Sequence, residues 1–188
     1  MCYTRFDNAV KASHILLGEY LKDGMDVLDM TMGNGQDCFF MLEKIGQKGL
    51  LYAFDIQKEA LENTKKILND FSSDNYSLIL DSHENCDKYV MDNSIDAVIF
   101  NLGYLPCGNK EIYTRPETTL IALEKSLRLL KRCGVIFLVS YIMHDQGKEH
   151  AKIMEYIGLL EQRAYNVFVL QYANQKNDPP VLTVIEKR

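Results

Sequence analysis

A glycine-rich turn and a carboxylate further along the chain are the first residues of this sequence that suggest a chemistry. The turn, Gly33-Asn34-Gly35, follows an apolar run, and Asp55 stands 20 residues after Gly35, at the end of a second apolar run. Glycines allow the backbone to turn sharply and to approach a ligand closely. A carboxylate at this spacing can accept hydrogen bonds from both hydroxyl groups of a ribose. The pattern therefore favours a cofactor that contains a nucleoside.

The residues beside this turn distinguish among three kinds of site. A dinucleotide fingerprint needs Gly or Ala at position 38, where this chain has Cys38, and the carboxylate of Asp37 would repel a pyrophosphate at the start of a helix. S-adenosyl-L-methionine has no phosphate and carries a cationic amino group, with which Asp29 and Asp37 are compatible. We therefore expect S-adenosyl-L-methionine. The alternatives are a nucleotide, or a plain strand–helix turn without a cofactor.

A polar cluster, Asp81-Ser82-His83, follows the third predicted strand. In open α/β sheets, ligands bind at the carboxyl ends of the strands, near the point where the strand order reverses. We therefore expect Ser82 or His83 to contact the edge or the face of an adenine. In the alternative interpretation, Asp81 caps the short helix that follows it.

The loop after the fourth predicted strand, Asn101-Leu102-Gly103-Tyr104, could hold an amine. The side-chain oxygen of Asn101 can accept hydrogen bonds from N–H groups and so aim the nitrogen lone pair, and the ring of Tyr104 can stack on a base. Alignment of this kind supplies most of the rate acceleration in such a transfer. The loop resembles the [Asn/Asp]-Pro-Pro-[Tyr/Phe] loop of methyltransferases that act on amino groups, with Leu-Gly in place of Pro-Pro.

An alkyl amine is mostly protonated at neutral pH, so it must lose a proton before it attacks a methyl group. His144, Tyr141 and His83 are candidate proton acceptors, and each has an alternative role in structure or in substrate positioning. His14 falls on the apolar face of the first predicted helix. We interpret it as a satisfied histidine of the core or of the mouth of the cofactor site.

The composition is that of an ordinary soluble protein. The chain has 188 residues, of which 47% are hydrophobic and 25% charged, which predicts a single domain spanning residues 1–188. The net charge of −5 excludes a globally basic nucleic-acid binder but allows a local basic patch. Five scattered cysteines without C-x-x-C spacing predict free thiols and no metal site. With no apolar run of roughly 18 residues and no apolar signal region, we expect a cytoplasmic protein that does not associate with membranes.

Hydrophobic periodicity and turn residues predict five helices and seven strands. The helices are expected at residues 7–22, 36–45, 57–70 and 148–160, and from residue 116 to a stop at Gly134. The strands are expected at residues 25–30, 50–55, 76–80, 95–100, 135–141, 165–172 and 181–186.

This order of elements determines the expected architecture. Strands that alternate with helices form a parallel sheet covered on both faces, and continuous apolar runs are typical of strands buried on both sides. The connection between the last two strands is too short for a crossover helix, so these strands must form an antiparallel hairpin. The predicted fold class is α/β, a seven-stranded mostly parallel sheet with helices on both faces and a C-terminal antiparallel hairpin. It resembles the Rossmann-like fold of class I S-adenosylmethionine-dependent methyltransferases.

Taken in this order, the motifs resemble a small bacterial family described as rRNA methylases, whose members are assigned as tRNA 5-aminomethyluridine methyltransferases acting at the wobble position. The resemblance runs nearly from end to end of the chain. Its most specific stretches are Asn-Leu-Gly-Tyr-Leu-Pro at residues 101–106 and Asn-Gln-x-Asn-x-Pro-Pro at residues 174–180. Further similar stretches are the glycine turn, residues 54–57, residues 81–84, Thr114 and residues 117–119.

The resemblance implies methyl transfer from S-adenosyl-L-methionine to the exocyclic amine of 5-aminomethyluridine, or of its 2-thio analogue, in tRNA. The resemblance implies that the cofactor is bound by Asn34, Asp37, Asp55, Gln57, Ser82 and His83. From the glycine turn and the strand before it, we expect Asp29, Gly33 and Gly35 to belong to the same site. The expected catalytic residues are Asn101, Tyr104 and His144, without a metal. The family also suggests a homodimer.

One stretch departs from the family pattern. Where the family has Tyr-x-Gly-His-x-Gly-Gly after the fifth strand, this chain keeps only Tyr141, His144 and Gly147. Two alternative functions therefore stay open: a methyltransferase for rRNA or for a small-molecule amine, and a catalytically silent RNA-binding module. A nucleotide-dependent oxidoreductase is disfavoured by Cys38, by Asp37 and by the terminal hairpin.

The expected partner is the anticodon loop of a tRNA, whose unpaired bases can be turned out and stacked on aromatic side chains. Phosphate contacts are expected from Lys110 and Arg115, which follow the Tyr104 loop. Further basic residues on the next predicted helix are interpreted as a solvated face, with RNA contact as the alternative. They are Lys125, Arg128, Lys131 and Arg132.

Overall fold

The computed structural model describes residues 6–69, 71, 74–109 and 111–188, and for His144 it describes the backbone only. Within these residues the strands are β1 Val27–Asp29, β2 Leu51–Asp55, β3 Tyr76–Leu80, β4 Ile95–Asn101, β5 Leu130–Ser140, β6 Tyr165–Leu170 and β7 Val181–Lys187. The α-helices are α1 Ala9–Tyr20, α2 Gln36–Ile45, α3 Lys58–Leu68, α4 Pro116–Leu129 and α5 Lys148–Gly158. Two short 3-10 helices span His83–Lys88 and His144–Gly147. Within the described ranges, no helix is both long enough and apolar enough to cross a bilayer.

All seven strands belong to one sheet, in the order β3-β2-β1-β4-β5-β7-β6. Strands β1 to β5 are parallel, whereas β7 is antiparallel to both β5 and β6. The predicted α/β sheet with its C-terminal antiparallel hairpin is therefore confirmed. The order reverses between β1 and β4, and open α/β sheets bind ligands at this point, outside the carboxyl ends of the strands.

Successive residues of the central strands point into two separate apolar layers. Val27 of β1 packs in the layer that contains α1, α2 and α3, whereas the next residue, Leu28, packs in the layer that contains α4 and α5. Both residues are fully buried, as a parallel strand covered on both faces requires. The edge strands β3 and β6 are less buried, so double-sided burial is limited to the centre of the sheet. This packed centre fixes the positions of the loops at its carboxyl ends.

Helix α4 ends earlier than predicted. Its last residue is Leu129, and β5 begins with the extended residue Leu130, so Gly134 does not stop the helix. Gly134 lies instead where the pairing of β5 with β4 shifts register, and there a Cβ atom would lie 2.9 Å from the backbone oxygen of Lys131. The predicted helix stop is therefore wrong, and Lys131 and Arg132 belong to β5.

Candidate functional site

Two adjoining cavities open at the carboxyl ends of the central strands. The first cavity, of about 180 Å³, is lined by residues that include Asp55, Gln57, Asp81, Ser82, His83, Tyr113, Thr114 and Arg115. The second cavity, of about 920 Å³, is lined by residues that include His14, Gln36, Asp37, Pro106, Cys107, Tyr141 and Met143. Both cavities are also lined by Thr31, Asn101, Gly103 and Tyr104. These four residues form the wall at which the cavities meet, and we call it the junction wall.

Two backbone N–H groups hold the carboxylate of Asp55 at the end of β2. Its Oδ2 accepts from the N–H of Gly33 at 3.0 Å, and its Oδ1 accepts from the N–H of Gln57 at 2.9 Å. Burial raises the pKa of this carboxyl, and the two N–H groups oppose that shift. Each oxygen keeps a further lone pair that can accept from a hydroxyl group in the first cavity. The structure thus brings three predicted cofactor residues together.

The glycine turn has a structural function that its spacing did not indicate. Gly35 has a φ of +82°, and a Cβ atom there would lie 2.9 Å from the Cα atom of Thr64 in α3. Asn34 accepts from the side-chain amide of Asn63 at 3.0 Å and donates to the backbone oxygen of Pro106 at 3.3 Å. The turn is therefore the place where α3 and the loop after β4 are joined.

At the end of β3, the predicted residues have different functions. The carboxylate of Asp81 accepts from the N–H of Ser82 at 2.7 Å and from the side-chain amide of Asn85 at 2.9 Å. The N-cap of the short helix is Ser82, which makes no side-chain capping bond, so the alternative interpretation of Asp81 as the cap is wrong. Nδ1 of His83 lies 3.2 Å from the backbone oxygen of Met30 and must donate to it. Burial lowers the pKa of His83, so the ring is neutral at neutral pH. Its buried Nε2 then carries a lone pair that has no partner among the described residues.

Two acids and a thiol lie beneath the glycine turn. Asp29 is fully buried, and its carboxyl group accepts from the N–H of Thr31 at 3.0 Å and from the thiol of Cys38 at 3.1 Å. Burial, with a further contribution from the carboxylate of Asp37, raises the pKa of Asp29 to about 8. Asp29 lines neither cavity, so Asp37 is the one of these two acids that a ligand can contact directly. In the described part of the chain, no group of three or more His, Cys, Asp and Glu side chains could hold a metal ion.

His14 of α1 meets Asp37 of α2 at the wall of the second cavity. Nε2 of His14 lies 2.5 Å from Oδ1 of Asp37, and the side chain of Asp37 is only 8% exposed. The imidazole stacks face to face on the ring of Phe40, with ring centroids 4.3 Å apart. His14 is therefore a satisfied histidine at the mouth of the predicted cofactor site.

Asn101 is fixed at the junction wall from two directions. Its backbone N–H donates to Oγ1 of Thr31 at 2.7 Å, and its Oδ1 accepts from the hydroxyl of Tyr141 at 3.4 Å. Burial raises the pKa of Tyr141, with smaller contributions from Asp37 and Tyr104, so this hydroxyl keeps its proton at neutral pH. Tyr141 is therefore arranged as a hydrogen-bond donor to Asn101 rather than as a proton acceptor.

The loop after β4 is tied to the segment that returns to α4. Gly103 has a φ of +125°; its N–H donates to Oγ1 of Thr114 at 2.9 Å, and its carbonyl accepts from the N–H of Thr114 at 2.8 Å. The next residue, Tyr104, pairs with Tyr113 in an antiparallel bridge. The side chain of Tyr104 is 43% exposed at the junction wall, where a base could reach it.

One of the two residues predicted to contact phosphates, Arg115, lies within the described residues. Arg115 is exposed at the rim of the first cavity, and its guanidinium carbon lies 5.8 Å from the ring centre of Tyr113. At this distance the guanidinium forms a cation–π contact with the ring, and its exposure allows a phosphate to reach it. Lys110 lies outside the described residues.

Three of the four basic residues further along the chain form ion pairs with acids. Nζ of Lys125 lies 2.7 Å from a carboxylate oxygen of Asp87, and Arg128 approaches the same carboxylate at 3.4 Å. Nζ of Lys131 lies 2.7 Å from Asp96. These ion pairs support the interpretation of this region as a solvated face and weaken the alternative, in which it contacts RNA.

The stretch that departs from the family pattern has an unusual backbone. Asp145 and Gln146 have φ values of +47° and +63°, a left-handed conformation that glycine adopts more readily than other residues. Gln146 stands where the family pattern has a glycine. The side chain of His144 lies outside the described residues, so its catalytic role stays a prediction.

Sequence reasoning did not identify a buried acid of α5. Glu149 is 4% exposed, and its two carboxylate oxygens accept from the hydroxyl groups of Thr119 at 2.6 Å and Thr114 at 2.8 Å. The threonines precede this acid by 30 and 35 residues, respectively. A glutamate in the first turn of a helix gives the same sequence signal whether it is buried or exposed, so the burial of Glu149 could not be predicted, although Thr114 and Thr119 lie in stretches that resemble the family pattern.

Comparisons with known proteins identify relatives of this chain. A family model described as "Putative rRNA methylase" matches residues 51–186. A structure from Clostridium thermocellum, described in the same words, is 40% identical and covers 100% of both chains with a TM-score of 0.93. A Streptococcus mutans protein solved in complex with SAH is 35% identical, again over 100% of both chains, with a TM-score of 0.86.

A curated relative carries a more specific name. It is the "tRNA (mnm(5)s(2)U34)-methyltransferase, chloroplastic" of Arabidopsis thaliana, which is 38% identical over 160 residues. The match includes 80% of this chain but only 58% of the length of that relative. The likeness therefore covers one part of the Arabidopsis protein.

Proposed function

Because this chain belongs to the rRNA methylase family, we propose that it transfers a methyl group from S-adenosyl-L-methionine to the exocyclic amine of 5-aminomethyluridine, or of its 2-thio analogue, at the wobble position of tRNA. The observation that carries this proposal is the junction wall. It places Asn101 and Tyr104 between a cavity with acceptors for a nucleoside and a larger cavity open to a second ligand. The name of the Arabidopsis relative supports the same substrate.

The residues of the first cavity fit the nucleoside of this cofactor. The lone pairs of Asp55 suit the ribose hydroxyls, and the unpartnered Nε2 of His83 can accept from the amino group of an adenine. Asp37, at the wall of the second cavity, suits the cationic amino group. When bound, the cofactor would supply an electrophilic methyl group. The complex of the Streptococcus mutans relative with SAH supports this assignment.

At the junction wall, Asn101 is the residue that orients the amine. Its Oδ1 already accepts from Tyr141, and its remaining lone pair can accept one N–H of the substrate. A bond to that hydrogen directs the nitrogen lone pair away from Asn101. Tyr104 can stack on the uracil ring and so limit its rotation. The two residues together would hold the amine in a reactive orientation, which is the main source of acceleration in such a transfer.

The proton that the substrate ammonium must lose needs an acceptor. Tyr141 keeps its own proton because its pKa is raised, and neutral His83 faces the first cavity rather than the second. His14 is engaged with Asp37. His144 stays our predicted acceptor.

The proposed RNA partner is the anticodon loop. Arg115 is exposed at the rim of the first cavity, with its guanidinium carbon 5.8 Å from the ring centre of Tyr113, and we propose that it contacts a phosphate of the loop that carries the turned-out uridine. Lys110 is proposed to assist it. A homodimer and a cytoplasmic location complete the proposal.

The test is methylation in vitro of tRNA that carries 5-aminomethyluridine, followed by nucleoside mass spectrometry. Wild-type protein is expected to convert the aminomethyl nucleoside to its N-methyl form, and Asn101→Ala is expected to lower the rate by about 10²-fold because the amine loses its orienting acceptor. The matched control is Asn69→Ala, at an exposed position after α3. Calorimetry provides the cofactor test, in which S-adenosyl-L-methionine should bind and NADH should not.

The family description makes rRNA the second candidate substrate. The same assay with ribosomal RNA and with free 5-aminomethyluridine separates the candidates. Methylation of rRNA or of the free nucleoside in place of tRNA would replace the proposed substrate while keeping the reaction. If S-adenosyl-L-methionine does not bind at all, the methyltransferase proposal fails and the silent RNA-binding module takes its place.

A further inference from the structure

A buried carboxylate on α5 stands beside the loop after β4, although the reaction outlined above does not use it. Glu149 is 4% exposed, and a buried carboxylate is costly unless its oxygens find hydrogen-bond donors. Here Oε1 accepts from the hydroxyl of Thr119, and Oε2 accepts from the hydroxyl of Thr114. Each threonine therefore commits its only hydroxyl hydrogen to this one side chain.

A second hydrogen bond connects Thr114 to the loop after β4. Because the hydroxyl hydrogen of Thr114 is directed at Glu149, the hydroxyl oxygen can accept, and the N–H of Gly103 donates to it at 2.9 Å. In a chain of hydrogen bonds each member polarises the next, so the carboxylate strengthens the hold on Gly103. Thr119 lies on α4, and its bond to Glu149 connects only two helices.

The loop needs such a constraint. Gly103, with its φ of +125°, is the most freely rotating kind of residue, and it lies between the two residues of the junction wall that would touch the substrate, Asn101 and Tyr104. Rotation at Gly103 would move those side chains relative to each other. Both backbone groups of Gly103 are bound by Thr114, and Thr114 is bound by Glu149.

We propose that Glu149 is a positioning residue that acts through Thr114 to hold the Asn101–Tyr104 loop in the geometry that orients the amine. This inference rests on the proposed function, because it gives Glu149 a role in that reaction. The competing explanation is that Glu149 only joins α5 to α4. The two explanations can be tested separately because Glu149 makes two hydrogen bonds. One is to Thr114, which holds the loop, and the other is to Thr119, which lies on α4.

The experiment compares Thr114→Val with Thr119→Val, two substitutions of equal shape that each remove one donor from Glu149. Thr114→Val is expected to lower kcat roughly tenfold or more, with a smaller change in KM for tRNA, because a displaced orienting group affects the rate more than binding. Thr119→Val is expected to leave kcat within about twofold of wild type, because the loop keeps its link to Glu149. Thr114→Ser restores the hydroxyl and is expected to recover kcat.

A second measurement needs no substrate. Hydrogen exchange at the amide of Gly103 is expected to be roughly tenfold faster in Thr114→Val than in wild type or in Thr119→Val, because that N–H loses its acceptor. Thr114→Ala, which removes the same hydroxyl and leaves more room, replaces the valine variant if that variant does not fold.

The outcomes separate the two proposals. If wild-type protein methylates no tRNA while exchange at Gly103 responds as expected, the proposed function fails and the link from Glu149 to the loop stands. Equal losses of kcat in the two valine variants, no recovery by Thr114→Ser, or unchanged exchange at Gly103 would each overturn the positioning role.

Discussion

The two sides of the junction wall differ in how firmly their residues are held. In the first cavity, the carboxylates of Asp55 and Asp81 each accept at least two hydrogen bonds from neighbouring groups. At the wall of the second cavity, Met143 is 72% exposed, and Gln146, three residues further along the chain, has a backbone conformation that suits glycine. We infer that the chain offers preformed groups to its small ligand and a more adaptable surface to its large one. Four predictions test this difference, beginning with the largest expected effect.

Gly35→Ala should disrupt the packing of the glycine turn against α3. The new Cβ atom would lie 2.9 Å from the Cα atom of Thr64, at a φ of +82°, so α3 would have to move. We expect the free energy of unfolding to fall by about 2–4 kcal/mol, from strain and from displaced packing. Urea denaturation provides the measurement. Gly158→Ala, where no atom lies within 4 Å of the new Cβ, is the control and should not destabilise the protein.

The buried acid beneath the same turn predicts a pH dependence. Asp29 has a pKa of about 8 in the folded protein and would ionise near its ordinary value of 3.8 in the unfolded chain. Between these values unfolding releases a proton, so stability falls as the pH rises, by at most ~1.4 kcal/mol per pH unit from this group. Urea denaturation from pH 5 to pH 8 measures the slope. Asp29→Asn should flatten it, and equal slopes in the two proteins would rule out Asp29 as the cause.

On the proposed RNA surface, reversal of one charge tests the partner. Arg115→Glu is expected to weaken tRNA binding by about five- to tenfold and to reduce its salt dependence, since one phosphate contact is lost. Affinity for SAH should change much less, because Arg115 is exposed at the mouth of that cavity and is not among the groups assigned to the nucleoside. Arg163→Glu, on the turn before β6, is the matched control. Unchanged tRNA affinity in Arg115→Glu would remove this residue from the proposed interface.

The smallest expected effect concerns the left-handed backbone at Gln146. Gln146→Gly should raise the free energy of unfolding by about 0.5–1 kcal/mol, because glycine adopts the φ of +63° without the steric cost. Gln162→Gly, at an exposed position without a positive φ, should instead lower stability slightly. Thermal unfolding of both variants measures the difference. A loss of stability in Gln146→Gly would show that the left-handed backbone there is not strained.

Much of the fold and of the first cavity could be predicted from the sequence. The motifs around Asp55, Ser82 and Asn101 each directly follow an apolar strand, and a parallel sheet brings the carboxyl ends of neighbouring strands to one edge. Local spacing therefore carried three-dimensional information. The end of α4 could not be predicted in this way, because a single glycine reads alike as a helix stop and as a strand irregularity, and at Gly134 the second was correct.

Contacts between distant side chains were beyond the reach of the sequence. Lys125 meets Asp87 across 38 residues, and Glu149 meets Thr114 across 35. In neither pair are the two residues related by the periodicity of a helix or a strand. Each contact forms because separate elements pack against one another. The ion pairing of Lys125 and the burial of Glu149 could therefore be recognised only from the folded structure.

The bond between Thr31 and Asn101 has a kinetic consequence. Because Thr31, two residues beyond the end of β1, accepts from the last residue of β4 at 2.7 Å, the ends of these two strands are tied together at the junction wall. In the proposed reaction, the side chain of Asn101 would therefore orient the amine from a position that the fold fixes before the substrate arrives. The chemical step would then depend on how well the amine is aligned at this wall, which is why loss of that alignment is expected to lower kcat.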